Sequence, residues 1–157
     1  MTCIQGGKSK RNCEKEEEPA LLIAVKSVPD EFRQRQAIRD TWGVAFQGAL
    51  MFTVGLSPLG NPFIHNAVAW EAAEHGDILA LDVLDTYHNL TYKLLGILQF
   101  VGIQLRRKGL LLLGDMDMLI YPENIKPFVN RIGASRARRL IHGQCWRNPR
   151  VQRTGKW

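Results

Sequence analysis

Asp115 and Asp117 stand two residues apart in Gly114-Asp115-Met116-Asp117, directly after the four leucines Leu110 to Leu113. An apolar run that closes on two carboxylates reads as a buried strand delivering acidic groups to the carboxyl edge of a sheet, where ligand sites form in open α/β folds. Ionised carboxylates are costly to bury without a cation or a hydrogen-bond partner. In an extended strand the i, i+2 spacing puts both side chains on one face. There they would address one hard cation, Mn2+ or Mg2+, which takes carboxylates, water and phosphate oxygens. D-x-D alone is also the pattern of a solvated turn, and it is the strand ahead of it that favours metal.

Arg33, Arg35 and Arg39 follow the first apolar run, with Arg35 and Arg39 at i, i+4 on one helix face. Guanidinium groups near the end of a buried strand suit phosphate or nucleotide recognition, and a solvated helix paired to Asp30 and Asp40 is the alternative. Asp82 and Asp85 precede another helix, where Asp85 would bind a sugar or ribose hydroxyl or cap the helix. Asn89-Leu90-Thr91 is an N-glycosylation sequon, or Asn89 caps a helix end. Gly6-Gly7-Lys8-Ser9 lacks the first glycine of a phosphate loop and has no strand before it. The four histidines have no paired ligand spacing, which disfavours zinc, and no G-x-S-x-G elbow is present.

Strands and helices must alternate to position these groups. Residues 20–27, an apolar run ending in Lys26 and Ser27, suit a strand buried on both faces. A helix follows, with Asp30 as its N-cap and Gly43 at its end. Strand Leu50 to Gly55, helix His65 to His75 and strand Asp77 to Asp82 come next. A helix from Asn89 toward Arg107 carries Leu90, Leu94, Leu98 and Val101 at helical spacing. The strand Gly109 to Asp115 leads to a helix entered near Pro122 and Glu123. This alternation predicts an α/β fold with a mainly parallel sheet covered on both faces.

At 157 residues the chain fits one domain, which at this size buries roughly 70% of the surface its unfolded chain exposes. Residues 1–18 read as a flexible lead-in with no secretory-type apolar core, and no stretch approaches the length of a membrane span. Cys3, Cys13 and Cys145 show no metal spacing; a Cys3–Cys13 bridge and the redox compartment stay open. The formal charge is +6, and from Arg131 to Trp157 there are seven arginines and one lysine with no acidic residue. Such a stretch suits an acidic neighbour or a phosphate-bearing ligand. A nucleic-acid footprint is the rival reading, resting on composition alone.

Three blocks, LLIAVKSVPDEFRQRQAIRDTWG, WEAAEHGDILALDVLDTYHNLTYK and GDMDMLIYPENI, together resemble the β-1,3-galactosyltransferase and β-1,3-N-acetylglucosaminyltransferase family, glycosyltransferase family 31. The resemblance covers residues 13 to 157 and rests above all on R-x-A-I-R-x-T-W-G and D-T-Y-x-N-L-T-x-K. It implies a GT-A type nucleotide-diphospho-sugar transferase fold with a Rossmann-like sheet, residues 19–157 forming its nucleotide-binding part. It also implies a Golgi membrane enzyme with a lumenal catalytic domain that uses Mn2+ and a UDP-sugar. The reaction would move galactose or N-acetylglucosamine to a glycan hydroxyl on protein or lipid, in β-1,3 linkage with inversion.

Residue by residue, the resemblance makes Asp117 the metal ligand and gives Asp115 the ribose or metal-bound water. Lys26, Ser27, Arg35 and Arg39 fall in the block lining the nucleotide pocket, and Asp85 in the adjoining one. Met116 replaces the middle aspartate of the family's D-D-D motif, which lowers the local negative charge. The chain stops before the family's glycine-rich and acidic segments, so the general base is expected beyond Trp157 and the chain reads as a partial member. A catalytically inactive UDP-binding relative is the alternative.

Overall fold

The computed structural model describes residues 20–46, 49–104 and 109–137, together with 141 and 143. The lead-in, the three cysteines and, apart from positions 141 and 143, the basic stretch beyond Ala137 were singled out in the sequence and lie outside these described residues. Among the described residues four strands form one parallel sheet: β1 (Ala20–Lys26), β2 (Leu50–Leu56), β3 (Ile78–Leu84) and β4 (Gly109–Asp115). Helices follow each in turn, α1 (Phe32–Asp40), α2 (Pro62–His75), α3 (Leu90–Gln104) and α4 (Pro122–Ala137). Parallel neighbours need such crossovers, because a short turn cannot return the chain to the same end of the sheet.

The strand order is β3-β2-β1-β4. The chain moves outward from β1 through β2 to β3, then jumps back to place β4 on the other side of β1. The order therefore reverses between β1 and β4. Two cores result, one on each face of the sheet. Ile23, Val25 and Phe52 join Ile38 of α1, Trp42 and Phe46 of the 3-10 turn after it, and Ile120, with Ile125 of α4 packed against them. Ala24 and Met51 point the other way, to Ile97 and Val101 of α3. This alternation along β1 is the two-residue period of a strand covered on both faces.

Beyond element bounds, as where α2 starts at Pro62 and β3 runs Ile78–Leu84, the structure departs from the sequence expectations at three places. First, α1 starts at Phe32 with Glu31, not Asp30, at its N-cap; the Glu31 carboxylate accepts from the Val28 N–H at 3.0 Å. Gly43 does not end that helix but lies inside the 3-10 turn Trp42–Phe46, where a Cβ would sit 2.5 Å from the Ile38 carbonyl oxygen. Second, α3 buries Lys93, Ile97 and Val101, whereas Leu90 and Leu98 face outward. Third, among the described residues β4 lies at the edge of the sheet, and its leucines are only partly covered.

Candidate functional site

The carboxyl ends of β1 and β4 meet where the strand order reverses, the place where open parallel sheets hold their ligands. Lys26, the last residue of β1, is the register partner of Asp115, the last residue of β4. Their side chains form an ion pair of 2.9 Å, with the carboxylate more than half exposed. The chain then turns sharply: the Met118 N–H donates to the Asp115 carbonyl at 3.2 Å, and Met118 Sδ accepts from the Asp115 N–H at 3.3 Å. Asp117 therefore sits in a turn beyond the strand. The expectation that both aspartates share one strand face is corrected here, since the extended backbone ends at Asp115. Asp117 is exposed, whereas Met116, partly buried, packs against the first core.

Ser27 and Asp85, both expected at the nucleotide, are built into a buried network under the carboxyl ends of β1 and β2. The Ser27 N–H donates to the Thr53 carbonyl at 3.0 Å, its carbonyl accepts from Lys93 Nζ at 2.7 Å, and its hydroxyl accepts from Arg35 Nη1 at 2.8 Å. That hydroxyl in turn donates toward the Val28 carbonyl and the Glu31 carboxylate. Asp85 Oδ2 accepts from the Gly55 N–H at 2.9 Å and from Lys93 Nζ at 2.7 Å, and its side chain is 3% exposed. Asp85, expected to bind a sugar or ribose hydroxyl or to cap the helix, is held here by Gly55 and Lys93. A buried carboxylate needs partners, and these are a strand amide and an ammonium. Burial pulls the Lys93 ammonium below its ordinary value, and the hydrogen bond to Asp85 offsets this only in part.

Arg35 is fully enclosed. Its guanidinium makes a forked contact to Glu71 of α2, with Nη2 to Oε2 at 2.6 Å, while Nη1 and Nη2 also donate to the carbonyls of Val28 and Pro29. Arg35 thus shapes the β1–α1 loop from inside and presents no free face to a ligand. Arg39 lies one helical turn on, toward the amino edge. It donates to Glu71 Oε1 at 2.8 Å and grips Asp77, just ahead of β3, with two bonds of 2.7 Å. Arg39, expected in the block lining the nucleotide pocket, is carried by α1 to Asp77 at the amino end of β3. Burial disfavours the charge on Arg39, and its bonds to Asp77 and Glu71 outweigh that and raise it above its ordinary value. Burial alone would raise the Glu71 carboxyl; the hydrogen bonds from Arg35 and Arg39 outweigh it and hold it below the ordinary range.

Lys93, Glu71 and Asp77 are the residues that the sequence reading passed over. Lys93 stood in the quoted D-T-Y-x-N-L-T-x-K block, on the helix position the structure buries. The signal for the two acids was the pair of arginines on one helix face, which needs carboxylates if it is buried. Asn89 directly precedes α3, and its Nδ2 donates to the Leu84 carbonyl at 3.1 Å. Two grooves, about 610 and 590 Å3, lie between α1 and α2 and below α1. Their charged walls include Arg39, Glu71 and Asp77, and Arg39 is already paired with both of these acids. Among the described residues no three His, Cys, Asp or Glu side chains gather as a metal cluster, and no helix is long and apolar enough to cross a membrane. Two carboxylates beside a lysine still suit a hard cation that takes its other ligands from phosphate and water.

Comparison with known proteins bears on what this edge binds. A family model described as Galactosyltransferase matches residues 33–157. The chain is 34% identical over 144 residues to the human UDP-GlcNAc:betaGal beta-1,3-N-acetylglucosaminyltransferase 8, covering 90% of this chain and 36% of that protein. It is 30% identical over 148 residues to lactosylceramide 1,3-N-acetyl-beta-D-glucosaminyltransferase A of Danio rerio, covering 88% of this chain and 39% of that one. A human acetylgalactosaminyl-O-glycosyl-glycoprotein beta-1,3-N-acetylglucosaminyltransferase is 34% identical over 133 residues, covering 79% and 34%. The chain thus spans little more than a third of the length of these relatives.

Proposed function

The chain belongs to the galactosyltransferase family, and from that premise we propose that it forms the donor-binding part of a hexosyltransferase. The donor is a UDP-sugar, UDP-N-acetylglucosamine or UDP-galactose, and the acceptor is a glycan hydroxyl on protein or lipid, joined in β-1,3 linkage. The names of the similar proteins support N-acetylglucosamine first. The observation that carries the reading is the Lys26–Asp115 pair at the reversal of strand order, with Asp117 exposed beside it. A diphosphate entering there gives Lys26 phosphate oxygens in place of Asp115. Asp115 and Asp117 would then hold Mn2+, which supplies neutralisation of the charge on the leaving diphosphate. Ser27, Arg35 and Asp85 serve this site by fixing its floor. The enzyme works in the Golgi lumen on a membrane anchor.

Calorimetry with UDP tests the proposal. The whole chain should bind UDP with Mn2+ and much more weakly without it, and Asp117→Ala should remove that difference. Binding that ignores both Mn2+ and Asp117→Ala would falsify the site. A second reading, a relative that binds UDP without transferring sugar, draws on Met116, whose side chain packs into the core where the family has an aspartate. Sugar transfer by a chain extended with the later family segments separates the two.

A further inference from the structure

The geometry points to Lys93 as a positioning residue for the donor site, acting through Ser27. This rests on the reading that the carboxyl edge takes a nucleoside diphosphate, and it adds a residue to that site. Two buried cations reach Ser27 from opposite faces of the sheet. Arg35 comes from α1 and bonds the Ser27 hydroxyl at 2.8 Å; Lys93 comes from α3 and bonds the Ser27 carbonyl at 2.7 Å. Ser27 follows Lys26 directly, and Lys26 is the one cation of this cluster that faces the crevice. Holding the Ser27 carbonyl fixes the Ser27–Val28 peptide, while the Ser27 N–H bond to the Thr53 carbonyl holds the Lys26–Ser27 peptide; the two together set Ser27, and with it the direction in which Lys26 leaves the sheet.

Stability alone does not account for an ammonium at this place. Lys93 is 3% exposed on the apolar stripe of α3, in line with Ile97 and Val101. Replacing a buried ion pair by apolar or neutral groups is often neutral or stabilising, so a hydrocarbon would serve α3 packing at least as well. What a hydrocarbon cannot do is donate to the Ser27 carbonyl and to Asp85 together. The second bond matters because Asp85 also receives the Gly55 N–H, at 2.9 Å. One amine therefore ties the ends of β1, β2 and β3 into a single floor under Lys26.

The test uses the whole chain and UDP with Mn2+ as the probe. Lys93→Met alone leaves the Asp85 carboxylate buried without its cation and can fail to fold. The charge-balanced double variant Lys93→Met with Asp85→Asn avoids that. We expect the double variant to melt within a few degrees of the parent yet to bind UDP about ten-fold more weakly. Asp77→Asn, which breaks an ion pair at the far edge, should leave UDP binding unchanged. Undiminished binding by the double variant overturns the inference, as does an equal loss in Asp77→Asn. A parent chain that itself fails to bind UDP with Mn2+ overturns the donor-site reading, and this inference with it.

Discussion

Lys26 and Asp115 face each other across neighbouring parallel strands as register partners, and their charged groups meet at 2.9 Å where the strand order reverses. The pairing follows from topology. β4 crosses back to lie beside β1, and the two strands end level, so the last side chain of each arrives at the same place. An ion pair this open to water contributes little to stability and is readily exchanged for other partners.

Lys26→Met should therefore alter unfolding free energy by less than about 1 kcal/mol, measured by urea denaturation. The same substitution should weaken UDP binding by about ten-fold or more, because an ammonium on a diphosphate is a charge-assisted contact. UDP affinity of the parent should also fall as salt rises, and that slope should flatten in the variant. Equal affinity in parent and variant would remove Lys26 from the site.

Glu71 is the node on which Arg35 and Arg39 converge, so removing it leaves two buried guanidinium groups short of a partner. Breaking a buried pair on one side costs about 3–5 kcal/mol, and Glu71→Ala should show a loss of this size by denaturant unfolding. The pH dependence follows from its lowered carboxyl. The unfolded state takes up the proton first, near the ordinary value of 4.5. The stabilisation is thus full above that pH and is lost as pH falls through the lower folded value. Lys93 acts at the alkaline end: its ammonium lies below the ordinary 10.5, so stability rises as pH climbs from the folded value toward 10.5. Acid titration of Glu71→Gln should lose the corresponding part of the low-pH slope.

The strands were legible in the sequence because each is a short apolar run with an abrupt polar end: Lys26 after Val25, Asp115 after Gly114. The two groups that face the crevice, Lys26 and Asp115, are those terminal residues. The interior partners were not legible in the same way. Arg35 meets Glu71 from 36 residues away, and Arg39 meets Asp77 from 38, and nothing local tells a helix arginine whether it faces water or a carboxylate. Lys93 hid for the opposite reason. Leu90, Leu94 and Leu98 offered an apolar stripe, while the structure turns α3 to bury Lys93 beside Ile97 because Ser27 and Asp85 receive its amine.

Gly55 lies where the floor is tightest. A Cβ there would come 2.5 Å from the Val83 carbonyl oxygen and 3.1 Å from Asp85 Cβ. Backbone on one side and a pinned side chain on the other leave little room to yield. Gly55→Ala should cost about 1–3 kcal/mol, the usual range for overpacking, and should weaken UDP binding as well by pushing Asp85 off the Gly55 amide. Thermal melts and UDP calorimetry read the two effects separately. Loss of stability with intact binding would detach Asp85 from the site.

Met116 gives the sharpest test of how the acidic turn is built. The family motif places a carboxylate between the two aspartates, and in this chain that side chain packs instead against the core formed by Ile23, Phe52 and Ile120. Restoring the acid by Met116→Asp removes apolar contact and brings a charge toward apolar neighbours. The expected cost is about 1–2 kcal/mol, since Met116 is only partly buried and a fully buried methionine side chain is worth about 1.5–3 kcal/mol. Because residue 116 faces the core while Asp115 and Asp117 are exposed, the new carboxylate should leave Mn2+ affinity unchanged in an electron paramagnetic resonance titration with UDP. A clear tightening of Mn2+ binding would mean that the turn rotates to bring position 116 into the crevice, and the assignment of Asp115 and Asp117 as the metal-facing pair would have to be redrawn.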